Sequence, residues 1–208
     1  YALTTNAGEI WTITLAPFFG LPIPLLPIHI LWINLVTDGL PGLALTLEPE
    51  EKGVMARAPR ALDESIFAGG MWQHILWVGL LMGFLCIGTL FWGHNTGNPR
   101  WQTMVFTLLT FCQLAHVLAI RSERDSLFAQ GLRSNLWLSI TVAFTVALQL
   151  AVIYLPFFNR LLKTLPLTLA ELGACIGLAA LVFFAVEIEK WLLRSGRIHW
   201  RRGAPAGP

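Results

Sequence analysis

Charged residues are scarce in this chain. Lys and Arg number 14 and Asp and Glu number 12 in 208 residues, so only 12% are charged, about half the share of a soluble domain. Hydrophobic residues make up 55%, and the mean hydropathy is +0.64. The net charge of +2 is too small to indicate a polyanionic partner. This composition excludes an ordinary soluble globule, a disordered chain and a nucleic-acid-binding chain, and it indicates an integral membrane protein.

Cysteines are few, and no N-terminal signal peptide is recognisable. The three cysteines, Cys86, Cys112 and Cys175, lie far apart inside apolar stretches, so we expect packing residues instead of a disulfide or metal ligands. No basic segment of a signal peptide precedes the first apolar run. No Met opens the chain, and we therefore expect that it begins inside a larger protein.

Long apolar runs are abundant. A helix that crosses a bilayer needs about 20 mostly apolar residues. Six runs meet this need: 2–20, 25–47, 67–93, 101–120, 135–156 and 168–190. They predict an all-α polytopic membrane protein, a bundle of six transmembrane helices. The last run is uncharged from Leu172 to Val186, and we expect it to reach the surface at Glu187, Glu189 and Lys190.

Basic residues are distributed unevenly between the two sets of loops. One set holds eleven Lys and Arg residues and the other holds three. The basic set consists of 48–66, 121–134 and the tail after 190, and the other consists of 21–24, 94–100 and 157–167. Because cytoplasmic loops carry the excess of Lys and Arg, both termini are predicted to be cytoplasmic.

Two carboxylates fall in the central part of an apolar run, Glu9 in the first run and Asp38 in the second. Each such charge costs about 2.5–3.5 kcal/mol at the bilayer centre, so a functional reason is expected. Oxygen-bearing residues share their helix faces: Asn6 precedes Glu9 by three positions, and Asn34 and Thr37 precede Asp38 by four and one. Hard oxygen donors of this kind suit a cation such as Ca²⁺ and not a soft metal.

The backbone after Asp38 is unusual as well. Gly39 is permissive, and Pro41 has no N–H, so the carbonyl of Thr37 loses its helical partner. A free carbonyl at membrane depth is tolerated only where it is buried in protein or lines a cavity. We therefore expect an unwound second helix, as in many ion transporters. The alternative is a structural clamp in which the polar groups bond each other, and we favour it for Asn34 taken alone.

Other residues in the runs predict packing instead of chemistry. Gly79 and Gly83 are four apart in the third run and predict a close helix contact. His29 and His116 are predicted to be hydrogen-bonded packing residues, Gln149 to bond a neighbouring helix, and His74 to lie at the membrane interface.

The segments around the two carboxylates resemble the fifth and sixth transmembrane helices of calcium-type P-type ATPases. The resemblance is carried by Thr5-Asn6-Ala7-Gly8-Glu9 and by Leu31–Pro41, LWINLVTDGLP, and it continues through Glu48-Pro49, Met55 and Arg57-Ala58-Pro59-Arg60. The six runs match the C-terminal six helices of that family. The resemblance thus implies that residues 1–208 are the C-terminal transmembrane domain of such a pump.

The resemblance also implies ligands for the transported cation. Residues at the matching positions coordinate the ion in that family, which implies this role for Asn6, Glu9, Asn34, Thr37 and Asp38, with Asp38 shared between two sites. The Glu that sarcoplasmic-type pumps use from the eighth helix corresponds to Gln113, which keeps an oxygen donor and loses the charge. Gly8 before Glu9 and the neutral Asn34 resemble the calcium type more than the sodium/potassium type.

Several expectations about the whole protein follow from the resemblance. This sequence contains no phosphorylation segment, nucleotide domain or actuator domain, so it is expected to be part of an ATP hydrolase that cannot hydrolyse ATP alone. The expected cargo is Ca²⁺, with ATP and Mg²⁺ acting only through those missing domains. The expected partners are the lipid bilayer of a plasma membrane, the pump's N-terminal helices and its cytoplasmic domains, and no nucleic acid. A pump for Mn²⁺, Na⁺ or H⁺, and a stand-alone non-ATPase transporter or subunit, stay open as alternatives.

Overall fold

The computed structural model describes residues 1–48, 70–121, 135–195 and 197, and within them the chain is helical with no strand. The helices are α1 (Ala2–Phe18), α2 (Pro27–Leu45), α3 (Met71–Asn95), α4 (Trp101–Ala119), α5 (Leu136–Tyr154), α6 (Pro156–Leu162) and α7 (Leu169–Arg194). The predicted all-α class is confirmed. The segment 157–167 was expected to be a loop, but α6 occupies its first part, with Pro156 at the first helical position, where its fixed φ is favourable.

Five of these helices are long and apolar enough to cross a membrane by length and composition, namely α2, α3, α4, α5 and α7. The polytopic membrane architecture is therefore confirmed. Helix α1 has 17 residues, at the short end of the range of about 17–25 that crosses a bilayer. The count of six transmembrane helices stays a prediction.

Helix α4 lies at the centre of the bundle. It packs against α3, α5 and α7 and also contacts α1 and α2, and most of its residues are buried. Its buried face is unusually polar for a central helix, with Thr107, Thr110, Gln113 and His116 all fully buried. Polar side chains on a buried transmembrane helix need partners on the neighbouring helices, so α4 brings hydrogen-bonding groups to several of the others.

Helices α1 and α3 are in close contact through glycine. A Cβ atom added to Gly79 would lie 2.8 Å from Cβ of Ala7, and one added to Gly83 would lie 2.7 Å from Cβ of Trp11. Both distances are shorter than any ordinary carbon–carbon contact. The close helix contact predicted for this pair of glycines is observed, and it fixes the position of α1 on α3.

The end of α7 differs from expectation. Glu189 and Lys190 were expected at the surface, but their side chains are only 7% and 5% exposed. Glu189 is buried because it accepts a hydrogen bond from the indole N–H of Trp77 and contacts His74. Lys190 donates to the backbone carbonyl of Ala119 at 2.7 Å and pairs with Glu187. The surface expectation is wrong for Glu189 and Lys190, since α3 and α4 supply polar partners at this depth.

Some expectations fall outside the described residues, namely those on Pro49, Met55, Arg57-Ala58-Pro59-Arg60, the first residues of the run 67–93, the basic loop beyond Arg121 and most of the C-terminal tail. The residues that border two of these segments, Glu48, Arg121 and Asn135, are described. Arg121 pairs with Glu48 at 2.8 Å, and the amide of Asn135 donates to the other Glu48 oxygen at 2.8 Å. These contacts hold the ends of α2, α4 and α5 together.

Candidate cation site

The middle of α2 is a π-helix. Residues Ile33–Asp38 have π-helical bonding and lie between the α-helical segments Pro27–Trp32 and Gly39–Leu45. Pro41 lacks the N–H that would serve the carbonyl of Thr37, and the hydroxyl of Tyr1 donates to this carbonyl at 3.0 Å. The expected unwinding thus takes the form of a π segment within a continuous helix, a feature often found at functional sites.

The facing sides of α1 and α2 meet through polar side chains. The amide of Asn34 donates to Oε2 of Glu9 at 3.5 Å, and the hydroxyl of Thr5 donates to Oδ2 of Asp38 at 2.9 Å. Thr5 and Glu9 are four residues apart on α1, as Asn34 and Asp38 are on α2. One turn forward on α1 therefore meets one turn back on α2, and this antiparallel register brings both carboxylates to the same interface.

Helix α4 adds a third side to this interface. The amide of Gln113 donates to Oε1 of Glu9 at 3.0 Å. Gln113 is fully buried and Glu9 is only 4% exposed. The two oxygens of Glu9 thus contact an amide from α2 and an amide from α4, so a carboxylate within an apolar helix is enclosed by three helices.

Three buried oxygens at this interface have no hydrogen-bond partner in the described part of the chain. They are Oδ1 of Asp38, Oγ1 of Thr37 and Oε1 of Gln113. Buried polar atoms without a partner are rare in proteins, and each one needs an explanation. A carboxylate oxygen and an amide oxygen are acceptors, and a hard cation satisfies acceptors of this kind without any protein donor.

Two of the residues that the resemblance implies as ligands lie less deeply. Asn34 is exposed, and its amide also donates to the carbonyl of Ile30 one turn earlier. Asn6 is half-buried on α1, and within the described residues its side chain makes no hydrogen bond to the other candidate ligands. Asp38, Thr37, Glu9 and Gln113 therefore form the buried centre of the group.

Sequence reasoning missed two side chains at this interface. Thr5 holds Asp38, and its position one turn before Glu9 on the same face was the available signal. Thr110 is fully buried one turn before Gln113, and its hydroxyl also lacks a partner among the described residues. The described residues contain no cluster of three or more His, Cys, Asp or Glu side chains suited to a metal, so a cation bound here needs neutral oxygens beside the two carboxylates.

These features define a multi-pass helical membrane protein with a buried, oxygen-rich interface between its first two helices and its central helix. The model of the family "Cation transporting ATPase, C-terminus" matches residues 22–192. The chain belongs to this family.

Curated relatives agree with this assignment. The chain is 37% identical over 187 residues to a calcium-transporting ATPase of Bacillus subtilis, with 88% of this chain and 21% of the relative covered. It is 34% identical to calcium-transporting ATPase 1 of Bacillus cereus (91% and 23% covered) and 34% identical to the human calcium-transporting ATPase type 2C member 1 (94% and 21% covered). The chain spans about a fifth of the length of these relatives. The resemblance to calcium-type pumps is confirmed.

Proposed function

We propose that residues 1–208 form the C-terminal transmembrane domain of an ATP-driven cation pump and carry the transported ion across the membrane, with Ca²⁺ as the cargo. The family match and the calcium-transporting relatives support this proposal. The observation that carries it is the set of three buried oxygens that have no partner among the described residues, on Asp38, Thr37 and Gln113. Gln113 bonds Glu9, and Asp38 is held by Thr5 one turn before Glu9 on α1.

In this proposal the ion is held by oxygens from three helices. Asp38 and Glu9 supply the charge, and Thr37 and Gln113 supply neutral oxygens. Asn6 and Asn34 complete the set from the outer part of α1 and α2. Ca²⁺ takes six to eight oxygen ligands in flexible geometry, and a group of carboxylate, amide and hydroxyl oxygens matches that preference. Because Gln113 is uncharged, the site has only the two negative charges of Glu9 and Asp38, which are enough to balance one divalent ion.

Transport itself needs parts of the pump beyond this chain. ATP-driven phosphorylation in the cytoplasmic domains would rearrange α1 and α2 and expose the ion to the other side of a plasma membrane, with both termini of this chain in the cytoplasm. After release, Glu9 and Asp38 would take up protons for the return step, because an ionised carboxylate without a partner is costly in the membrane. ATP and Mg²⁺ act through the phosphorylation and nucleotide domains, which would be partners of this one.

Cation binding by the chain in lipid nanodiscs tests the proposal. Glu9→Gln and Asp38→Asn each remove one charge with little change of shape, and we expect each to weaken Ca²⁺ binding about tenfold or more, since charged ligand contacts contribute about 1.5–3 kcal/mol. Glu171→Gln is the matched control, because Glu171 caps α7 and bonds Asn98 away from the site. Equal affinity in all four proteins would refute the ligand assignment.

Two further measurements decide between the remaining alternatives. Competition by Mn²⁺, Na⁺ and H⁺ in the same binding assay identifies the preferred ion. If one of them binds more tightly than Ca²⁺ and displaces it, that ion is the cargo instead. Grafting the segment into a complete pump tests the coupling to ATP. If Asp38→Asn leaves ion-dependent phosphorylation unchanged there, Asp38 does not bind the transported ion, and the reading as a stand-alone transporter or subunit gains support.

A further inference from the structure

A second group of buried polar side chains lies one turn along α4 from Gln113. We call it the histidine cluster: His74 and Trp77 of α3, His116 of α4 and Glu189 of α7. Nδ1 of His74 is 2.7 Å from Oε2 of Glu189, and Nε2 of His74 is 3.1 Å from Nε2 of His116. The indole N–H of Trp77 donates to Oε1 of Glu189 at 2.9 Å. The cluster joins three helices, and the candidate cation ligands are not part of it.

The distances restrict where the hydrogens of the cluster can lie. Two ring nitrogens 3.1 Å apart share one hydrogen, because one must donate and the other must accept. The carboxylate of Glu189 accepts one hydrogen bond from Trp77 and a second from the N–H at Nδ1 of His74. His74 then accepts at Nε2, and His116 donates from its own Nε2. Both imidazoles are neutral in this arrangement, and the only negative charge of the cluster is on Glu189.

The outer nitrogen of His116 is the open end of this chain of hydrogen bonds. His116 is fully buried, and its Nδ1 has no hydrogen-bond partner in the described part of the protein. In the neutral arrangement this nitrogen carries a free lone pair inside the bundle. The lone pair and the charge of Glu189 are connected through His74.

We propose that Glu189, His74 and His116 form a proton-binding site that accepts one proton at Nδ1 of His116 and stabilises it as an imidazolium on His74. When local opening of the bundle lets hydronium reach the buried ring, its proton binds the lone pair of Nδ1, makes His116 cationic and leaves water behind. The N–H bond at Nε2 of His116 then breaks as a new N–H bond forms at Nε2 of His74. His116 becomes neutral again with its hydrogen on Nδ1, and the positive charge rests on His74 beside the Glu189 carboxylate.

The surroundings allow this charge to move. On α7, Glu187 and Lys190 pair with each other next to Glu189. The phenol ring of Tyr1 stacks on the ring of His116 at a centroid distance of 6.0 Å, and its hydroxyl donates to the carbonyl of Thr37. On α2 the carboxylate of Asp38 is held by Thr5. Helix α5 has no Asp, Glu, Lys, Arg or His, and on α3 the other histidine, His94, lies at the opposite end. Glu189 is therefore the group that balances an imidazolium on His74.

The proton site does not rest on the proposed cation transport, because it uses neither Glu9 nor Asp38. It gives the chain a proton-binding group that titrates separately from the carboxylates of the cation interface. Since the site links α3, α4 and α7, its protonation changes the charge at the contact of the last helix with the central one.

The experiment uses the whole chain in lipid nanodiscs with ¹⁵N-labelled histidine. We expect a ¹⁵N–¹⁵N coupling between Nε2 of His74 and Nε2 of His116, which arises only across an N–H···N hydrogen bond. On acidification His74 should become doubly protonated while His116 stays neutral with its hydrogen on Nδ1. His94 is exposed and lies outside the cluster, so its ¹⁵N signals serve as an internal reference.

Glu189→Gln provides the decisive comparison, because Gln keeps a group that can bond Trp77 and His74 but removes the charge. We expect the doubly protonated fraction of His74 to fall about fivefold or more at the pH where the unmodified chain is half protonated, since loss of an adjacent opposite charge shifts such an equilibrium by about one to three pH units. His94 should titrate unchanged. Absence of the coupling, or equal protonation of His74 in both proteins, would overturn the proposal, and neither result depends on Ca²⁺ binding.

Discussion

Replacing Gly79 by alanine tests the contact between α1 and α3 most directly. The new Cβ would lie 2.8 Å from Cβ of Ala7 and 3.3 Å from the Ala7 carbonyl carbon. Carbon atoms prefer about 3.5–4.0 Å, so the two helices must separate by nearly 1 Å. Neither neighbouring atom can rotate away, because one is backbone and the other is fixed directly to it.

The size of the effect follows from this geometry. Overpacking by one methyl group in a close contact costs about 1–3 kcal/mol of unfolding free energy, and we expect Gly79→Ala to fall in this range. Gly88 lies on the same helix with nothing within 4 Å of its added Cβ. Gly88→Ala should therefore leave stability unchanged or raise it by up to about 1 kcal/mol, the gain in helix propensity from glycine to alanine. The pair isolates the contact from any effect of alanine on helix propensity.

The chain contains its own reporter for this measurement. Cys86, Cys112 and Cys175 are free and buried, so a thiol-reactive dye fluoresces only as the bundle opens on heating. We expect a lower Tm for Gly79→Ala and an unchanged or higher Tm for Gly88→Ala. A double variant with Gly83→Ala should cost less than the sum of the two single changes, because helices that have already separated accommodate the second methyl group.

The result that would refute the reasoning is equally specific. If Gly79→Ala and Gly88→Ala melt at the same temperature, α1 does not lie on α3 as closely as the distances indicate. Strict additivity of Gly79→Ala and Gly83→Ala would show that the two contacts are independent, which two glycines one turn apart on one helix face do not allow.

Two further predictions concern the cation interface and the end of α5. Thr37→Val should weaken Ca²⁺ binding in nanodiscs and leave the Tm of the ion-free protein unchanged or slightly higher. The reason is that it removes a buried hydroxyl that has no partner among the described residues. A lower Tm would show that the hydroxyl is structural. Asn135→Ala should lower the unfolding free energy by about 0.5–2 kcal/mol, since Asn135 caps α5 by accepting from the Leu138 N–H at 2.9 Å. Asn135→Ser should melt between the unmodified chain and Asn135→Ala, because serine can cap α5 but has no amide to donate to Glu48. Equal Tm values for the two variants would contradict the capping role.

Much of the fold and part of the candidate site could be predicted from sequence. Helices α2, α3, α4, α5 and α7 follow from apolar length alone, because the bilayer imposes that length on any crossing helix. Glu9 and Asp38 could be singled out because a charge inside an apolar run is costly. Gln113 could be placed beside them only through the resemblance, since no local pattern connects α4 with α1.

The rest depends on contacts between distant segments. His74 and Glu189 are 115 residues apart, and His74 and His116 are 42 apart, so no periodicity could relate them, and each was interpreted singly. The burial of Glu189 and Lys190 has the same cause: their partners lie on α3 and α4, and a hydropathy profile contains no information about them. Pro41 predicted a disturbed helix, but whether the disturbance is a break or a π segment depends on how the neighbouring helices hold the carbonyl of Thr37.

The π segment of α2 has a mechanical consequence. A π-helix has more residues per turn than an α-helix, so the segment Ile33–Asp38 contains extra residues while α2 stays continuous. An α-helix rotates by about 100° and advances about 1.5 Å for each residue. Moving the π segment along α2 by one residue would rotate Asp38 away from Thr5, while the two ends of α2 keep their positions.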